Sequence, residues 1–553
     1  MSQITPQNRQ RRDFLRLSAA TGVAAALTAG LAACGKGPES SGSMAAAPAA
    51  AADGTAGAPA QDVNVMIGYN NNSSWDPVNT TGSAFAMAAH NHIYEALFDG
   101  DPYTREPYAA LASALPDAEA LKGKDLTVTL REGATWHDGQ PVVADDVVYT
   151  FERILNAEKR VLLYAFFGTW LDKVEKKDDR TVVLHMKFPF QDALKRLSVA
   201  KIVPRHAYEG KSDEWLKDGS NQIGSGPYRV TRYVSGSLAK FERYDKYNGP
   251  LKPMIKTMQW NVTVDASARV AQLTAAQGGM LASDNIPQDN IESLQQAGIT
   301  VEGAGSMNML ALVFNAAKKP YSDLRVRQAL FYAIDTDKLM AIAIKGKGKL
   351  ASCYLNEENP SYSKASDVYA YNPDKAKALL AEAGVKGLKI TLKAVNISWL
   401  ATAVNTIKES WDAIGVETTL EVMDTAALAS QMASKGDFDV SAWSSNPTQF
   451  SIDADLNIRW FYAADSKHLQ WSGWDKTADY KKLEKTLNDA LASADATEHK
   501  KLLDSALGTI AHQAVIYPVM HMQLFSGWHA DKLEGMKALN YPGLYLNRAK
   551  RIA

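Results

Sequence analysis

Residues 371–384 read YNPDKAKALLAEAG, and residues 388–394 read LKITLKA. Asn372 and Pro373 predict the start of a helix, because asparagine caps the free NH groups and proline fits the first helical position. Gly384 predicts the end of that helix. From Leu388 to Ala394 apolar residues alternate with polar ones, which is typical of a half-buried strand. The pattern therefore predicts a helix followed by a strand.

The same pattern continues to residue 443. A helical stretch from about Trp399 ends at Gly415, and a strand at 416–422, a helix at about 425–435 and a strand at 438–443 follow. Strands separated by single helices predict crossover connections and a largely parallel sheet, so the fold class we predict is α/β. Ligands of such sheets bind beyond the carboxyl ends of the strands, here residues 396–399, Asp424 and residues 443–446.

The first 61 residues predict export. Arg11 and Arg12 precede an Ala/Leu-rich stretch that ends at Cys34, which is the layout of a twin-arginine signal with a lipoprotein cleavage site. We predict a signal over residues 1–33, lipidation of Cys34 and a flexible Ala/Gly/Ser/Pro tether over residues 35–61. The alternative is an ordinary Ala-x-Ala cleavage site beside a chance cysteine. The lipoprotein reading places the protein in the periplasm or another extracytoplasmic space, anchored to the membrane by lipid.

Composition excludes some classes of function. The 553 residues include 60 basic and 61 acidic side chains, so the formal charge of -1 gives no electrostatic hold on nucleic acid. Cys353 is the one cysteine besides Cys34, so we expect no intramolecular disulfide. The hydrophobic fraction of 46% and the chain length suggest two or more packing units.

Three further segments stand out: LREGATWHDGQPVVADDVVYTFERI at 130–154, GSGPYRV at 224–230 and VFNAAKKPYSDLRVRQALFYAID at 313–335. His137 lies in a His-Asp-Gly turn, which favours a structural role over catalysis. The Gly-Ser-Gly-Pro segment lacks the spacing of a nucleophile elbow or a phosphate loop, and Pro227 removes a backbone donor that either would use. We therefore interpret it as a tight bend.

With residues 371–384, these segments resemble, in order and spacing, the extracytoplasmic solute-binding proteins of family 5, the receptors of ABC importers for oligopeptides, dipeptides and nickel. The resemblance covers residues 62–553. It implies a two-lobed periplasmic-binding-protein fold of class II with an enlarged first lobe, joined by two crossover strands near 303–312 and 514–522. Lobe one would comprise 62–305 plus 520–553, with an inserted subdomain at about 105–220, and lobe two would comprise 306–519.

The resemblance also implies a function. The protein would be a monomeric receptor without enzymatic activity or cofactor that captures a peptide or peptide-like solute between closing lobes. It would then deliver that solute to an ABC permease/ATPase complex in the membrane. We predict no metal site, because His90 and His92 are too close for one helical face and isolated histidines such as His512 and His521 are weak evidence of a metal.

In peptide-binding relatives, a Gly-Trp segment after the third strand of lobe two is followed by an aspartate that holds the ligand's ammonium group. Here Trp443 is followed by no acid until Asp453 and Asp455. Either one of these aspartates substitutes, or the ligand has no free amine, because a buried ammonium without a counter-charge is costly. The ligand-binding residues that we predict are Tyr69, Asn70, Asn71, Asn72, Trp399, Trp443, Ser445, Asn446, Thr448 and Asp453.

Two alternatives remain open. Tryptophans near the loops of lobe two would suit an aromatic or apolar solute, and nickel receptors of the same fold raise the possibility of a metal chelate. A hypothesis of another class is an exported hydrolase. The sequence contains none of the common zinc-protease, Gly-x-Ser-x-Gly or dinucleotide-binding motifs.

Overall fold

The structure is a computed structural model that describes residues 62–552, except 73, 80–83, 157, 160, 162, 436–437 and 450. The predicted signal, Cys34 and the tether lie outside the described residues. The strands are β1 Asp62–Ile67, β2 Phe98–Gly100, β3 Pro107–Ala109, β4 Asp125–Thr129, β5 Leu171–Asp178, β6 Thr181–Met186, β7 Tyr228–Val234, β8 Leu238–Arg243, β9 Thr257–Val262, β10 Met280–Ser283, β11 Thr300–Phe314, β12 Gly348–Leu350, β13 Lys389–Val395, β14 Glu417–Met423, β15 Val440–Ser445, β16 Ile516–Trp528, β17 Leu533–Glu534 and β18 Lys550–Arg551.

The α-helices of the described residues follow the same chain order. They are α1 Ala84–Ile93, α2 Ala144–Ile154, α3 Tyr164–Phe167, α4 Ala193–Leu197, α5 Arg205–Tyr208, α6 Asp213–Lys217, α7 Ala266–Thr274, α8 Ile291–Gln296, α9 Leu324–Tyr332, α10 Thr336–Ala343, α11 Pro373–Glu382, α12 Ser398–Asp412, α13 Thr425–Lys435, α14 Ala454–Tyr462, α15 Lys467–Ser472, α16 Ala478–Ala492 and α17 Ala496–Gln513. None of them combines the length and apolarity that a membrane span requires.

The α/β pattern predicted for residues 372–443 is confirmed. Asn372 accepts a hydrogen bond from the Lys375 NH at 2.9 Å and so caps α11, and Gly384, with φ of +70°, follows its end. Strands β13, β14 and β15 follow as predicted, and β13 pairs in parallel with both of the others. This parallel sheet and its helices form the core of lobe two.

One continuous sheet extends from lobe two into lobe one. Its main order is β14-β13-β15-β11-β16-β10-β1-β9-β8-β7, with β12 also paired to β16. The long strands β11 and β16 pair antiparallel with each other. At one end of this pair β11 pairs with β15 of lobe two, and at the other end β16 pairs with β10 of lobe one. They lie at the two positions where crossover strands were expected, so they connect the lobes. The exact domain boundaries stay predictions.

The inserted part of lobe one has a sheet and a core of its own. Strands β4, β6 and β5 form an antiparallel sheet, and α2 packs beside it around residues such as Trp136, Phe151 and Trp170. Two residues of lobe two, Leu456 and Leu491, are part of the same hydrophobic cluster. The inserted part therefore packs directly against lobe two.

The His-Asp-Gly turn and the Gly-Ser-Gly bend pack against each other. The His137 Nδ1 atom accepts a hydrogen bond from the Gly224 NH at 3.2 Å, and its Nε2–H donates to the Gly226 carbonyl at 3.0 Å. Both glycines lie against the end of α1, where an added Cβ on Gly224 would come within 1.9 Å of the Ile93 carbonyl oxygen. His137 therefore joins the two segments by hydrogen bonds, and the close approach of the bend to α1 explains why glycine is required at position 224.

We expect buried neutral histidines to make stability depend on pH. His92 donates Nδ1–H to the Ala88 carbonyl and accepts the Leu546 NH at Nε2, so, like His137, it has no free lone pair for a proton. Burial lowers the pKa of both histidines to about 4. Because an unfolded histidine titrates near 6.5, the unfolded state binds more protons between pH 6.5 and 4, and stability falls as the pH falls through this window. Across this window each histidine lowers the free energy of unfolding by up to about 3 kcal/mol.

Urea unfolding at several pH values between 7.5 and 4.5 measures this dependence. Replacing His92 with glutamine, which can also donate and accept, is expected to reduce the slope of unfolding free energy against pH. Replacing the exposed Asn405, which does not titrate, with alanine is the control and is expected to preserve the slope. Equal slopes for the wild type and the His92 variant would contradict the account.

Candidate functional site

Lobe one presents the carboxyl ends of three neighbouring parallel strands, β1, β9 and β10, at one edge of the sheet. Gly68 follows β1, and its NH donates to Oδ1 of Asp284, which follows β10, at 2.7 Å. The other carboxylate oxygen, Oδ2, accepts no hydrogen bond of ordinary length from the described residues. Burial raises the pKa of Asp284 to about 6, although the Gly68 NH and the Arg269 guanidinium oppose that rise. This edge is therefore a polar position of the kind that α/β sheets use for ligands.

The predicted residues after β1 lie at this edge but differ in role. Tyr69 is partly buried, whereas Asn70 and Asn72 are exposed. Asn71 is fully buried, and its Oδ1 accepts the NH of Gly236 while its Nδ2 donates to the carbonyl of Val234. The side chain of Asn71 thus holds the turn between β7 and β8. Tyr69, Asn70 and Asn72 stay predictions.

The loop after β15 contacts lobe one. Asn446 Nδ2 donates to the carbonyl of Asn540 at 3.2 Å, and the Thr448 hydroxyl lies between that carbonyl, at 3.2 Å, and Asn446 Oδ1, at 2.5 Å. The backbone carbonyl of Thr448 accepts a hydrogen bond from Arg105 Nη2 at 2.9 Å. Ser445 Oγ accepts the Trp460 Nε1–H at 2.9 Å within lobe two. Three predicted residues are therefore near the junction of the lobes, and Asn446 and Thr448 contact lobe one.

A polar cavity of about 60 Å³ lies beside this junction. Its volume suits about four water molecules or one carboxylate-sized group. Lobe two contributes Ser451 and Ile452, and the rest of the lining comes from lobe one, including Glu95, Asp99, Arg105, Tyr108, Lys195, Lys201 and Tyr541. The cavity is therefore bounded by both lobes and rich in charged and phenolic groups.

The predicted tryptophans belong largely to the packing of lobe two. Trp443 is 6% exposed, and its ring stacks on Trp471 with centroids 5.8 Å apart and contacts His468 edge to face. Its Nε1–H donates to Ser441 Oγ at 2.9 Å. Trp399 is partly buried against the same core. The structure thus gives Trp443 a packing role, whereas contact of either ring with a ligand stays a prediction.

The structure gives Asp453 partners other than a ligand. Its Oδ2 accepts Arg196 Nε at 2.8 Å, and its Oδ1 accepts the Leu456 NH and so caps α14. Asp455 also pairs with Arg196, at 3.1 Å. Burial would raise the pKa of Asp453, but the Arg196 guanidinium holds it below its usual range. Both aspartates considered as substitutes for the missing acid are thus occupied inside the protein, and neither is free for an ammonium group.

Sequence reasoning did not identify Arg105, Asn540 or Tyr541 as site residues. Arg105 lies in the turn between β2 and β3, and Asn540 and Tyr541 lie near the end of the chain. Their proximity to the loop after β15 depends on contacts between segments more than 90 residues apart. One local signal was present, because Arg105 lies in a turn, and binding residues occur more often in loops than their length would suggest.

Within the described residues, no group of three or more histidine, cysteine or carboxylate side chains is arranged to hold a metal ion. His521, for example, is buried, and its ring bonds the Tyr354 carbonyl at 3.0 Å. The charged and phenolic groups that line the cavity beside the lobe junction can hydrogen-bond an organic solute.

The fold and the junction between its lobes define a two-lobed solute-binding protein. The family model for bacterial extracellular solute-binding proteins, family 5, matches residues 106–467. The chain therefore belongs to this family, and the fold predicted from its sequence is confirmed.

Individual relatives agree with that assignment. The dipeptide-binding protein of Escherichia coli is 31% identical over 343 residues, covering 58% of this chain and 62% of the relative, so the chain spans about three fifths of that relative. The oligopeptide-binding protein AppA of Bacillus subtilis is 26% identical over 457 residues, covering 76% of this chain and 80% of that relative.

Solved structures share the fold at low identity. The dipeptide-binding protein of Pseudoalteromonas sp. SM9913, in complex with Met-Leu, has a TM-score of 0.75 at 21% identity, covering 89% of this chain and 100% of that one. NikA of Brucella suis, in complex with Fe(III)-EDTA, has a TM-score of 0.77 at 19% identity with the same coverage. At such identities, the similarity describes the fold and leaves the ligand open.

Proposed function

We propose that this chain is the solute receptor of an ABC importer, which captures a peptide or peptide-like solute between its lobes and delivers it to a membrane permease. One observation carries the proposal: the loop after β15 meets lobe one at Arg105 and Asn540, beside a polar cavity that both lobes line. Membership of the family and the names of the peptide-binding relatives support peptide as the first solute to test.

A non-peptide solute is the second candidate, because Asp453 and Asp455 are occupied by Arg196. The loop after β15 therefore offers a ligand's ammonium group no free carboxylate. An aromatic solute or a metal chelate would not need one. An exported hydrolase remains the alternative from another class of protein. It differs from a receptor in that it would convert the bound solute to products.

Native mass spectrometry of the purified protein tests these candidates, because a closed receptor can retain its solute. We expect a retained, unmodified solute that is released on denaturation. A peptide mass supports the first candidate and a chelate or other small molecule the second. Conversion of an added peptide or ester to products would instead support the hydrolase.

A variant pair ties retention to the lobe junction. Replacing Asn446 with alanine removes a hydrogen bond to lobe one and is expected to weaken retention about two- to tenfold, the usual range for a neutral hydrogen bond. Asn405, exposed on α12, bonds within its own helix, so its replacement with alanine is the matched control. An equal loss of solute retention in both variants would contradict a role for the lobe junction in binding.

We also propose a lipid anchor at Cys34, export through the twin-arginine signal, a monomeric state and contact with an ABC permease/ATPase complex. The layout of residues 11–34 supports the anchor. Replacing Cys34 with serine is expected to move the protein from the membrane fraction to the soluble extracytoplasmic fraction, because the thiol is the acylated atom. Replacing the buried Cys353 with serine is the control and is expected to leave the protein at the membrane. Membrane retention of the Cys34 variant would contradict the anchor.

A further inference from the structure

Arg105 occupies a conformationally unusual turn between β2 and β3. Its φ of +65° is in the left-handed region, which a side chain with a Cβ rarely adopts. The turn is held by Asp101, whose Oδ1 accepts the NH groups of Tyr103 and Thr104 at 2.9 Å and whose carbonyl accepts the Arg105 NH at 2.8 Å. Such strain persists where the surrounding structure enforces it, and it is frequent at ligand sites. In this conformation the guanidinium of Arg105 lines the cavity between the lobes.

The other charges that line this cavity already have partners. Glu95 pairs with Arg131 at 3.0 Å, Lys195 pairs with Asp192 at 2.9 Å, and Asp99 pairs with Lys201. By contrast, no carboxylate among the described residues lies within 4 Å of the Arg105 guanidinium. Its partners are neutral: the Thr448 carbonyl, and Tyr541, whose ring centroid lies 4.6 Å away and whose hydroxyl also hydrogen-bonds the guanidinium. The charged pairs cancel, so Arg105 leaves one net positive charge at the cavity.

We propose that Arg105 binds a carboxylate of the captured solute, so that the preferred solutes are small carboxylic acids such as peptides with a free C-terminus. This inference rests on the proposed receptor function and names the group that the receptor recognises. A planar guanidinium presents several donors that fit a carboxylate, and a buried charge is costly without a counter-charge. The volume of the cavity suits a group of that size.

Neighbouring phenols complete the site. Burial raises the pKa of both Tyr108 and Tyr541, so both hydroxyls stay protonated and can donate to an anion. Arg105 also donates to the Thr448 carbonyl in lobe two, so the same side chain contacts the opposite lobe and the solute. Binding of the carboxylate is thereby coupled to closure of the lobes.

Calorimetric titration with matched probes tests the inference. The probes are the dipeptide Met-Leu, the pentapeptide Ala-Ala-Ala-Ala-Ala and glutarate, each compared with its carboxamide. We expect wild-type protein to bind the preferred acid about 30-fold more tightly than its amide, the loss typical when a buried charge pair is broken. Arg105→Gln is expected to bring that ratio close to one. Arg229→Gln is the matched control, because Arg229 is exposed and pairs with Glu242 on a neighbouring strand.

The acid-to-amide ratio separates charge recognition from general damage to lobe closure, because loss of closure weakens both probes equally. Arg105→Lys keeps the charge and is expected to retain part of the preference, which provides a second variant if Arg105→Gln folds poorly. Equal binding of acid and amide by the wild type, or an unchanged ratio in Arg105→Gln, would overturn the inference. A neutral solute that copurifies while every acid fails to bind would also overturn it and would leave the receptor proposal standing. Failure of all probes together with no retained solute would overturn both.

Discussion

Replacing Gly224 with alanine is expected to prevent stable folding or to lower the free energy of unfolding by at least about 4 kcal/mol. The new Cβ would lie 1.9 Å from the Ile93 carbonyl oxygen and 2.7 Å from its carbon. Both are backbone atoms at the end of α1, so no side-chain rotation relieves the overlap. The shift would also disturb the hydrogen bond from the Gly224 NH to His137. Urea unfolding of the soluble extracytoplasmic form measures the loss.

Gly508 provides a control by the same substitution. It lies inside α17, and an added Cβ there would meet no atom within 4 Å. Because alanine favours a helix more than glycine does, Gly508→Ala is expected to raise stability by about 1 kcal/mol. A lower free energy of unfolding for Gly224→Ala and a higher one for Gly508→Ala would support the close-contact explanation. A Gly224→Ala protein as stable as the wild type would contradict it.

Replacing Arg196 with methionine is expected to lower the free energy of unfolding by about 3 to 5 kcal/mol at neutral pH. Arg196 is 1% exposed and donates to Asp453 and Asp455, which are also buried. Methionine fills a similar volume but leaves the two carboxylates without this counter-charge. Arg459 still pairs with Asp455, so Asp453 bears most of the cost.

Acidic pH is expected to reduce this loss. Without Arg196, burial raises the pKa of Asp453, so the carboxyl group can be protonated in the folded state, and the variant regains stability as the pH falls. Arg205→Met is the control, because Arg205 is exposed and pairs with Glu209 one helical turn away, and its loss should barely change stability. A destabilisation that is small, or independent of pH, would contradict a buried charge cluster.

Sequence alone predicted lobe two well because its signals are local. The cap at Asn372, the terminating glycines and the alternation around Ile390 each depend on neighbouring residues, and each predicted element lies within a few residues of the observed one. The crossover strands and the two lobes followed from the resemblance of four segments. The order and spacing of these four segments extend over the whole domain, and the periodicity of apolar residues within any one segment does not reveal them.

The site was less accessible because its contacts are long-range. Arg105 bonds Thr448 across 343 positions, and Arg196 bonds Asp453 across 257. An aspartate that follows a strand looks the same in sequence whether it faces a ligand or an internal arginine, so the possible role of Asp453 depended on a partner that only packing reveals. Trp443 shows the same limit, because a tryptophan near a strand end can pack into the core as easily as onto a ligand.

Small-angle X-ray scattering of the purified extracytoplasmic protein, with its solute first removed and then restored, tests whether this chain is a closing receptor. The contacts from Arg105 and Asn446 across the junction predict a solute-bound form more compact than the solute-free form. We predict that the radius of gyration falls when the solute is added, in proportion to occupancy, and that the solute is recovered unchanged. An unchanged radius of gyration at full occupancy, or recovery of reaction products in place of the solute, would contradict it.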